Sequence, residues 1–138
     1  MGKVISMNHD CDQHMRLRLP RHPRSVGRAR EALRGLVSLP GELGDTAALL
    51  LSELVTNALR HGSPPGREIV VSVRRADGLL RLEVEDAGDT VPSPRTPELV
   101  DECGRGLALV VALADDWGVE PRRGPGKLVW VTLKAPDD

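Results

Sequence analysis

Residues 49–62 read LLLSELVTNALRHG, and this stretch decides the fold. Its leucines, valine and alanines predict a helix that packs inside a domain. Glu53 and Asn57 nevertheless lie in its middle, on one helix face and about 6 Å apart along the axis. Arg60 and His61 continue this polar stripe. Since a buried carboxylate is costly unless it meets a cation, water or a ligand, the helix leaves two interpretations: a ligand site, or a narrow polar stripe at the surface.

The composition predicts one globular domain. With 138 residues, 40% hydrophobic and 28% charged, the chain can bury a core of ordinary size. A net charge of −1 argues against nucleic-acid and membrane partners, and only two aromatic residues, Trp117 and Trp130, offer stacking surfaces. The two cysteines have no CxxC spacing, and no apolar run approaches the ~18 residues that span a bilayer. We therefore expect a cytoplasmic protein.

Flanking patterns predict the remaining elements. Residues 1–13 show no periodicity and are predicted to be a flexible N-terminal tail, followed by one domain over residues 14–138. Alternation predicts strands, and apolar residues three or four apart predict helices. The predicted elements are a strand at 14–20, a helix at 23–39, the loop PGELGD, the central helix, a hairpin around Asp77-Gly78, a loop at 87–103, a helix from about Gly106 to Trp117 and a closing hairpin around RRGPG.

Two further motifs lie at the ends of predicted strands. Asp86, in VEDAGD, ends the second hairpin strand, and Gly88 lets a ligand approach the backbone. A carboxylate there can accept hydrogen bonds from an amino group such as that of adenine, although Asp-x-Gly alone is usually a turn. Lys127, in GPGKLVW, begins the last strand. It can bind a phosphate or a carboxylate, but in isolation a solvated turn lysine is the better interpretation.

The fourth motif is CGRGLALV, residues 103–110. Gly104 and Gly106 follow a long loop and open a helix, whose free N–H groups and positive dipole end suit phosphates. A third glycine is missing and no Gly-Lys-Ser/Thr follows, so the motif is neither a dinucleotide fingerprint nor a P-loop. The alternative is an ordinary helix start after a loop.

In this order the four motifs resemble the histidine-kinase-like ATPase superfamily, the GHKL or Bergerat fold, over roughly residues 14–135. The segments SELVTNALRHG, GRGLALV and GKLVW are similar to those of small bacterial anti-sigma-factor serine/threonine kinases. The resemblance implies the α+β class and a two-layer α/β sandwich. It also implies a mixed sheet covered on one face by about three helices.

The resemblance also implies residue roles. Asn57 would hold Mg²⁺, which bridges the phosphates of ATP, and a carboxamide oxygen is a suitable hard ligand. Glu53 would be the general base that accepts a proton from the attacking hydroxyl. Asp86 would bind the adenine amino group, with Gly88 making room for the base. The other implied ATP-binding residues are Gly104, Arg105, Gly106, Leu107 and Lys127.

The sequence departs from the family pattern at two positions. Thr90 stands where relatives often have a glycine. Lys127 stands where many relatives have a threonine that helps hold a water beside the adenine. Both departures bear on how the base is bound.

The implied activity is that of an ATP:protein serine/threonine phosphotransferase, with ATP and Mg²⁺ as cofactors. It would phosphorylate an anti-anti-sigma (STAS-type) partner and restrain a sigma factor, and the resemblance is compatible with a homodimer. The alternative is a non-catalytic, ATP-dependent module that sequesters a transcription regulator. Glu53 favours the kinase, since a pure binder needs no base. We also expect residues 89–103 to form a mobile lid, and the length of the chain to exclude a complete sensor histidine kinase.

Overall fold

Period-two alternation of apolar residues builds an antiparallel sheet in the computed structural model, which describes residues 3–7, 12–61, 67–87, 106–122 and 126–136. Six strands are described, in the spatial order β1-β2-β3-β4-β6-β5. They are β1 (Lys3–Met7), β2 (Gln13–Leu19), β3 (Ile69–Ala76), β4 (Leu79–Asp86), β5 (Asp116–Pro121) and β6 (Lys127–Lys134).

Three helices are described: α1 (Arg24–Leu36), α2 (Gly41–His61) and α3 (Gly106–Leu113). Residues 49–61, LLLSELVTNALRH, form the second half of α2. This helix packs against α1, α3, β4 and β6, and so lies at the centre of the helical layer. The structure thus confirms the predicted α+β class and its two layers. None of the described helices is long and apolar enough to cross a membrane.

The core lies between the helices and one face of the sheet. On α2, Leu50, Leu51 and Val55 are fully buried, as the apolar flanks of this helix predict. Facing them are alternate residues of the strands, whose inward positions share one parity in each strand. These inward residues are Met15, Leu17 and Leu19 of β2, Ile69, Val71 and Val73 of β3, Leu80, Leu82 and Val84 of β4, and Val129, Val131 and Leu133 of β6.

The opposite face of the sheet is polar and salt-bridged. Arg16 on β2 contacts Glu85 on β4, with 3.0 Å between Nη1 and Oε2. Arg81 on β4 lies over the ring of Trp130 on β6, 4.5 Å from its centroid. Because such ion pairs stay partly in water, each contributes little stability. Charged residues are therefore ordinary on this face and unusual on the helix-covered one.

The central hairpin forms where the sequence predicts it. Asp77 and Gly78 join β3 to β4 with φ values of 54° and 73°. Two consecutive positive φ angles define a type I′ turn, whose twist matches that of the flanking strands. This turn sets the β3–β4 register, in which Val70 faces Glu85.

Four sequence predictions need correction. Residues 3–7, predicted as part of a flexible tail, form β1 and pair with β2. The predicted loop PGELGD is largely the first turn of α2, which begins at Gly41. The helix predicted to continue to Trp117 ends at Leu113. Finally, the sheet is not mixed, because every described pairing is antiparallel.

The physical reason for the antiparallel sheet is the position of β6. The connection through α3 does return the chain so that β5 runs parallel to β4. However, β6 lies between these two strands and is antiparallel to both. The strands β4 and β5 therefore run in the same direction, but β6 separates them and no parallel pairing forms between them.

Candidate functional site

The polar stripe of α2 is confirmed as an interruption in a buried helix. Leu54 and Ala58, which flank it, are 2% and 4% exposed. Next to them in the helix, Glu53 is half-buried and Asn57 is only 7% exposed. Arg60, one turn later, is exposed, so the stripe runs from the interior to the surface.

Asn57 carries an unsatisfied polar group. Its amide nitrogen Nδ2 is buried and has no hydrogen-bond partner among the residues that the structure describes. Most buried polar side-chain atoms have a partner, because an unpaired one loses its hydration without compensation. A buried amide of this kind is suited to an external ligand. Since a carboxamide can turn either its nitrogen or its oxygen outward, it can meet a phosphate oxygen or a cation.

Glu53 lies one turn before Asn57 in the same helix. Its partial burial removes water from the carboxylate, and this desolvation raises the pKa of Glu53 above the ordinary 4.5. A raised pKa makes the carboxylate a better proton acceptor, because general bases work best when their pKa approaches the working pH. The helix therefore places the carboxylate of Glu53 one turn away from the Asn57 amide, which is suited to an external ligand.

A charged pair lies on the inner face of the sheet. Asp86 ends β4 and Lys127 begins β6, and the two residues are directly opposite each other in the antiparallel register. The Lys127 ammonium donates a hydrogen bond to Asp86, with 3.1 Å between Nζ and Oδ1. The side chains are 8% and 2% exposed, so the ion pair is almost wholly buried. Lys127 is thus not the solvated turn lysine of the alternative interpretation.

Strand parity explains why this pair faces the helices. Asp86 continues the inward series that ends with Val84, and Lys127 precedes the inward series that begins with Val129. Side chains two residues apart in a strand point to the same face. The pair therefore lies on the side of the sheet that α2 covers, and α2 contacts both β4 and β6.

Gly126 holds the two strand ends together. Its φ is 112°, a conformation that side-chain-bearing residues rarely adopt. A Cβ atom at this position would lie 1.9 Å from the carbonyl oxygen of Asp86 and 2.7 Å from the Cα of Ala87. Only glycine allows this approach, which sets Lys127 beside Asp86. No pattern in the sequence singles out Gly126.

Several predicted site residues lie outside the described part of the chain. Gly88, Gly104 and Arg105 are among them, as are Thr90 and the expected lid over 89–103. Gly106 is the first residue of α3, as predicted, and Leu107 follows it in the same helix. The residues that the structure brings to one side of the sheet are Glu53, Asn57, Asp86 and Lys127.

The described residues contain no cluster of three His, Cys, Asp or Glu side chains that could hold a metal ion. Asn57 can still supply one oxygen ligand. Mg²⁺ commonly takes one or two protein ligands and completes its six positions with phosphate and water oxygens. The donor set thus fits a Mg²⁺–nucleotide complex better than a metal held by protein alone.

The solved structures give the class of this fold. The chain resembles the histidine kinase domain of the blue-light activated histidine kinase from Erythrobacter litoralis EL346, with a TM-score of 0.54 and 27% identity. That match covers 85% of this chain and 62% of the other. Among curated proteins, the sensor protein DivL of Caulobacter vibrioides is 41% identical over 80 residues, which are 52% of this chain and 10% of DivL.

The family model named histidine kinase-like ATPase domain matches residues 19–133. The chain belongs to this family. Membership implies an ATP-binding domain with a kinase or ATPase type of activity and a regulatory function. Because the chain spans a tenth of DivL and under two thirds of the matched histidine kinase domain, the activities of those whole proteins are not transferred to it.

Proposed function

We propose that this protein is an ATP-dependent serine/threonine kinase of the anti-sigma type, which phosphorylates an anti-anti-sigma (STAS-type) partner and restrains a sigma factor. The observation that carries the proposal is the pairing, one helical turn apart, of Glu53 with Asn57. Desolvation raises the pKa of Glu53, and the buried amide nitrogen of Asn57 has no hydrogen-bond partner within the described part of the chain. A module that only bound nucleotide would need the amide but not the basic carboxylate.

The proposed chemistry gives one task to each of three residues. Asp86 accepts a hydrogen bond from the adenine amino group at the strand end. Asn57 would hold Mg²⁺ through its carboxamide oxygen, and the bound metal would supply positive charge to neutralise the transferring phosphate. Glu53 accepts the proton of the partner's hydroxyl while the hydroxyl oxygen bonds to the γ-phosphorus of ATP. The bond between the γ-phosphorus and the bridging oxygen breaks, and ADP leaves with its electrons.

Binding and chemistry separate in two variants. Asn57→Ala should abolish the part of ATP affinity that depends on Mg²⁺, as measured by calorimetry with and without the metal. Glu53→Gln should leave ATP affinity nearly unchanged and slow phosphoryl transfer by roughly 10²–10⁴-fold, the usual contribution of a general base. Glu42→Gln, an exposed acidic residue in the first turn of the same helix, is the matched control and should change neither quantity.

The partner is obtained by capture from native cell extract on the immobilised protein, with ATP and without nucleotide. A captured STAS-type protein that gains a phosphoserine or phosphothreonine on incubation with ATP would support the kinase. If Glu53→Gln transfers phosphate at the wild-type rate, Glu53 is not the base. If ATP binds tightly but no captured protein is ever phosphorylated, the protein is the alternative, a sequestering module controlled by ATP.

A further inference from the structure

We propose that Lys127 is a second base-reading residue, whose ammonium donates a hydrogen bond to the ring nitrogen N1 of adenine while Asp86 accepts one from the adjacent amino group. Lys127 would thereby reject purines that carry a proton on N1. This inference rests on the ATP-binding function proposed above. It deepens that function by assigning the specificity of the base end of the site to a charged pair.

The placement of the two groups supports the proposal. Lys127 and Asp86 are cross-strand neighbours on the inner face, 3.1 Å apart between Nζ and Oδ1. An ammonium has three N–H donors, of which Asp86 takes one in this contact, and a carboxylate accepts at about four lone-pair positions. The pair therefore offers a donor and an acceptor side by side without breaking its own bond.

Adenine presents the complementary pattern. Its amino group at position 6 donates, and the neighbouring N1 accepts. Guanine and hypoxanthine present the reverse, an accepting O6 beside a donating N1–H. In the same pose these bases would place O6 against the Asp86 carboxylate and N1–H against the Lys127 ammonium. Both contacts would then be mismatched.

The ammonium differs in this respect from a threonine-held water. A water both donates and accepts, so it can turn to receive N1–H and soften the rejection of the wrong base. An ammonium has no acceptor and cannot adapt. Lys127 should therefore make the choice of adenine over N1-protonated purines stricter than a threonine at the same position would.

A purely structural ion pair is the competing explanation. Such a pair brings little net stability, since the desolvation of two charges offsets their attraction. One step further along the same two strands, Val84 faces Val129 and fills the inner face with apolar side chains. The pair thus costs desolvation where an apolar pair would serve the fold, and base recognition gives it a function.

The test compares three nucleotides on the wild-type protein by calorimetry with Mg²⁺ present: ATP, 1-deaza-ATP, in which a C–H group replaces N1, and ITP, whose base carries N1–H. We expect 1-deaza-ATP to bind about tenfold or more weakly than ATP, as for a lost hydrogen bond to a charged group. ITP should bind more weakly still, because it meets two mismatches.

The Lys127→Thr variant then isolates the ammonium. Both ratios, ATP to 1-deaza-ATP and ATP to ITP, should fall several-fold relative to wild type. Lys134→Thr is the matched control, since Lys134 is exposed at the other end of β6 and should leave both ratios unchanged. Circular dichroism checks that each variant is folded. If Lys127→Thr does not fold, the wild-type series decides alone.

The outcomes distinguish the role of Lys127 from the proposed ATP-binding function. Wild-type protein that binds ATP and 1-deaza-ATP equally tightly would overturn the inference and leave the proposed function intact, because Lys127 would then be only a partner of Asp86. Wild-type protein that binds none of the three nucleotides would overturn the proposed function and the inference together.

Discussion

Substitution of Gly126 by alanine tests whether the close approach of β4 and β6 forms the proposed nucleobase end of the site, which consists of Asp86 and Lys127. A Cβ atom at Gly126 would lie 1.9 Å from the carbonyl oxygen of Asp86, whereas real Cβ atoms essentially never come within 3.0 Å. The two strand ends must therefore separate by about 1.1 Å. That displacement acts directly on the neighbouring 3.1 Å contact between Lys127 and Asp86.

Two energies combine in this variant. Forcing alanine into a positive-φ conformation costs about 1–2 kcal/mol. Losing a hydrogen bond between charged groups costs a further 1.5–3 kcal/mol, roughly. We expect Gly126→Ala to lower the free energy of unfolding by about 2.5–5 kcal/mol, and ATP affinity to fall with it.

Gly78→Ala is the matched control. Gly78 also has a positive φ, 73°, but nothing lies within 4 Å of the position its Cβ would take. It should cost only the backbone term, about 1–2 kcal/mol. Urea unfolding, followed by fluorescence of Trp117 and Trp130 on β5 and β6, measures both variants. Equal losses for Gly126→Ala and Gly78→Ala would refute the reasoning, since the contact with Asp86 would then contribute nothing.

Three further predictions concern α2 and Asp86. Desolvation raises the folded-state pKa of Glu53 above 4.5, so the contribution of Glu53 to stability is present at low pH and is lost as pH rises through the folded pKa. In urea titrations, the stability of Glu53→Gln relative to wild type should therefore increase from pH 4.5 to about pH 7. A decrease over this range would contradict the prediction. Leu54→Ala, at a position 2% exposed, should cost about 2–5 kcal/mol in the same assay, whereas a loss below about 1 kcal/mol would place Leu54 outside the core. Asp86→Asn should lower the affinity for ATP by about tenfold or more, and the wild type should bind GTP far less tightly than ATP. Equal ATP and GTP affinities in calorimetry would reject Asp86 as the residue that recognises the nucleobase.

Much of the fold follows from local pattern. Apolar and polar residues alternate clearly enough to locate the strands β2, β3, β4 and β6. The Asp77-Gly78 turn defines the β3–β4 hairpin, because few residue pairs adopt its backbone conformation. The sequence pattern does not locate β1, because this strand has only five residues, KVISM, and follows no usable turn signal. Its pairing with β2 is decided by tertiary contact, which propensity cannot report.

Each residue of the candidate site could be predicted from the sequence, but the contact between Asp86 and Lys127 could not. Glu53 and Asn57 stand out because polar residues interrupt an apolar helix. Asp86 and Lys127 are separated by 41 positions, and only the register of β4 against β6 brings them into contact. One clue was available: in both strands the charged residue has the same parity as the buried valines, which places it on the inner face. The role of Gly126 depends on a carbonyl approach that no local pattern encodes.

The insertion of β6 between β4 and β5 has a consequence for synthesis of the chain on the ribosome. Until residues 127–134 have emerged, β4 has one open edge with unpaired backbone groups, and β5 has no strand to join. Asp86 meanwhile lacks the ammonium of Lys127. The proposed nucleobase end of the site is therefore completed only when β6 joins the sheet, and a chain cut short before Lys127 would lose it even with α1, α2 and α3 intact. Under the proposed function, nucleotide binding would thus report that β6 has been synthesised.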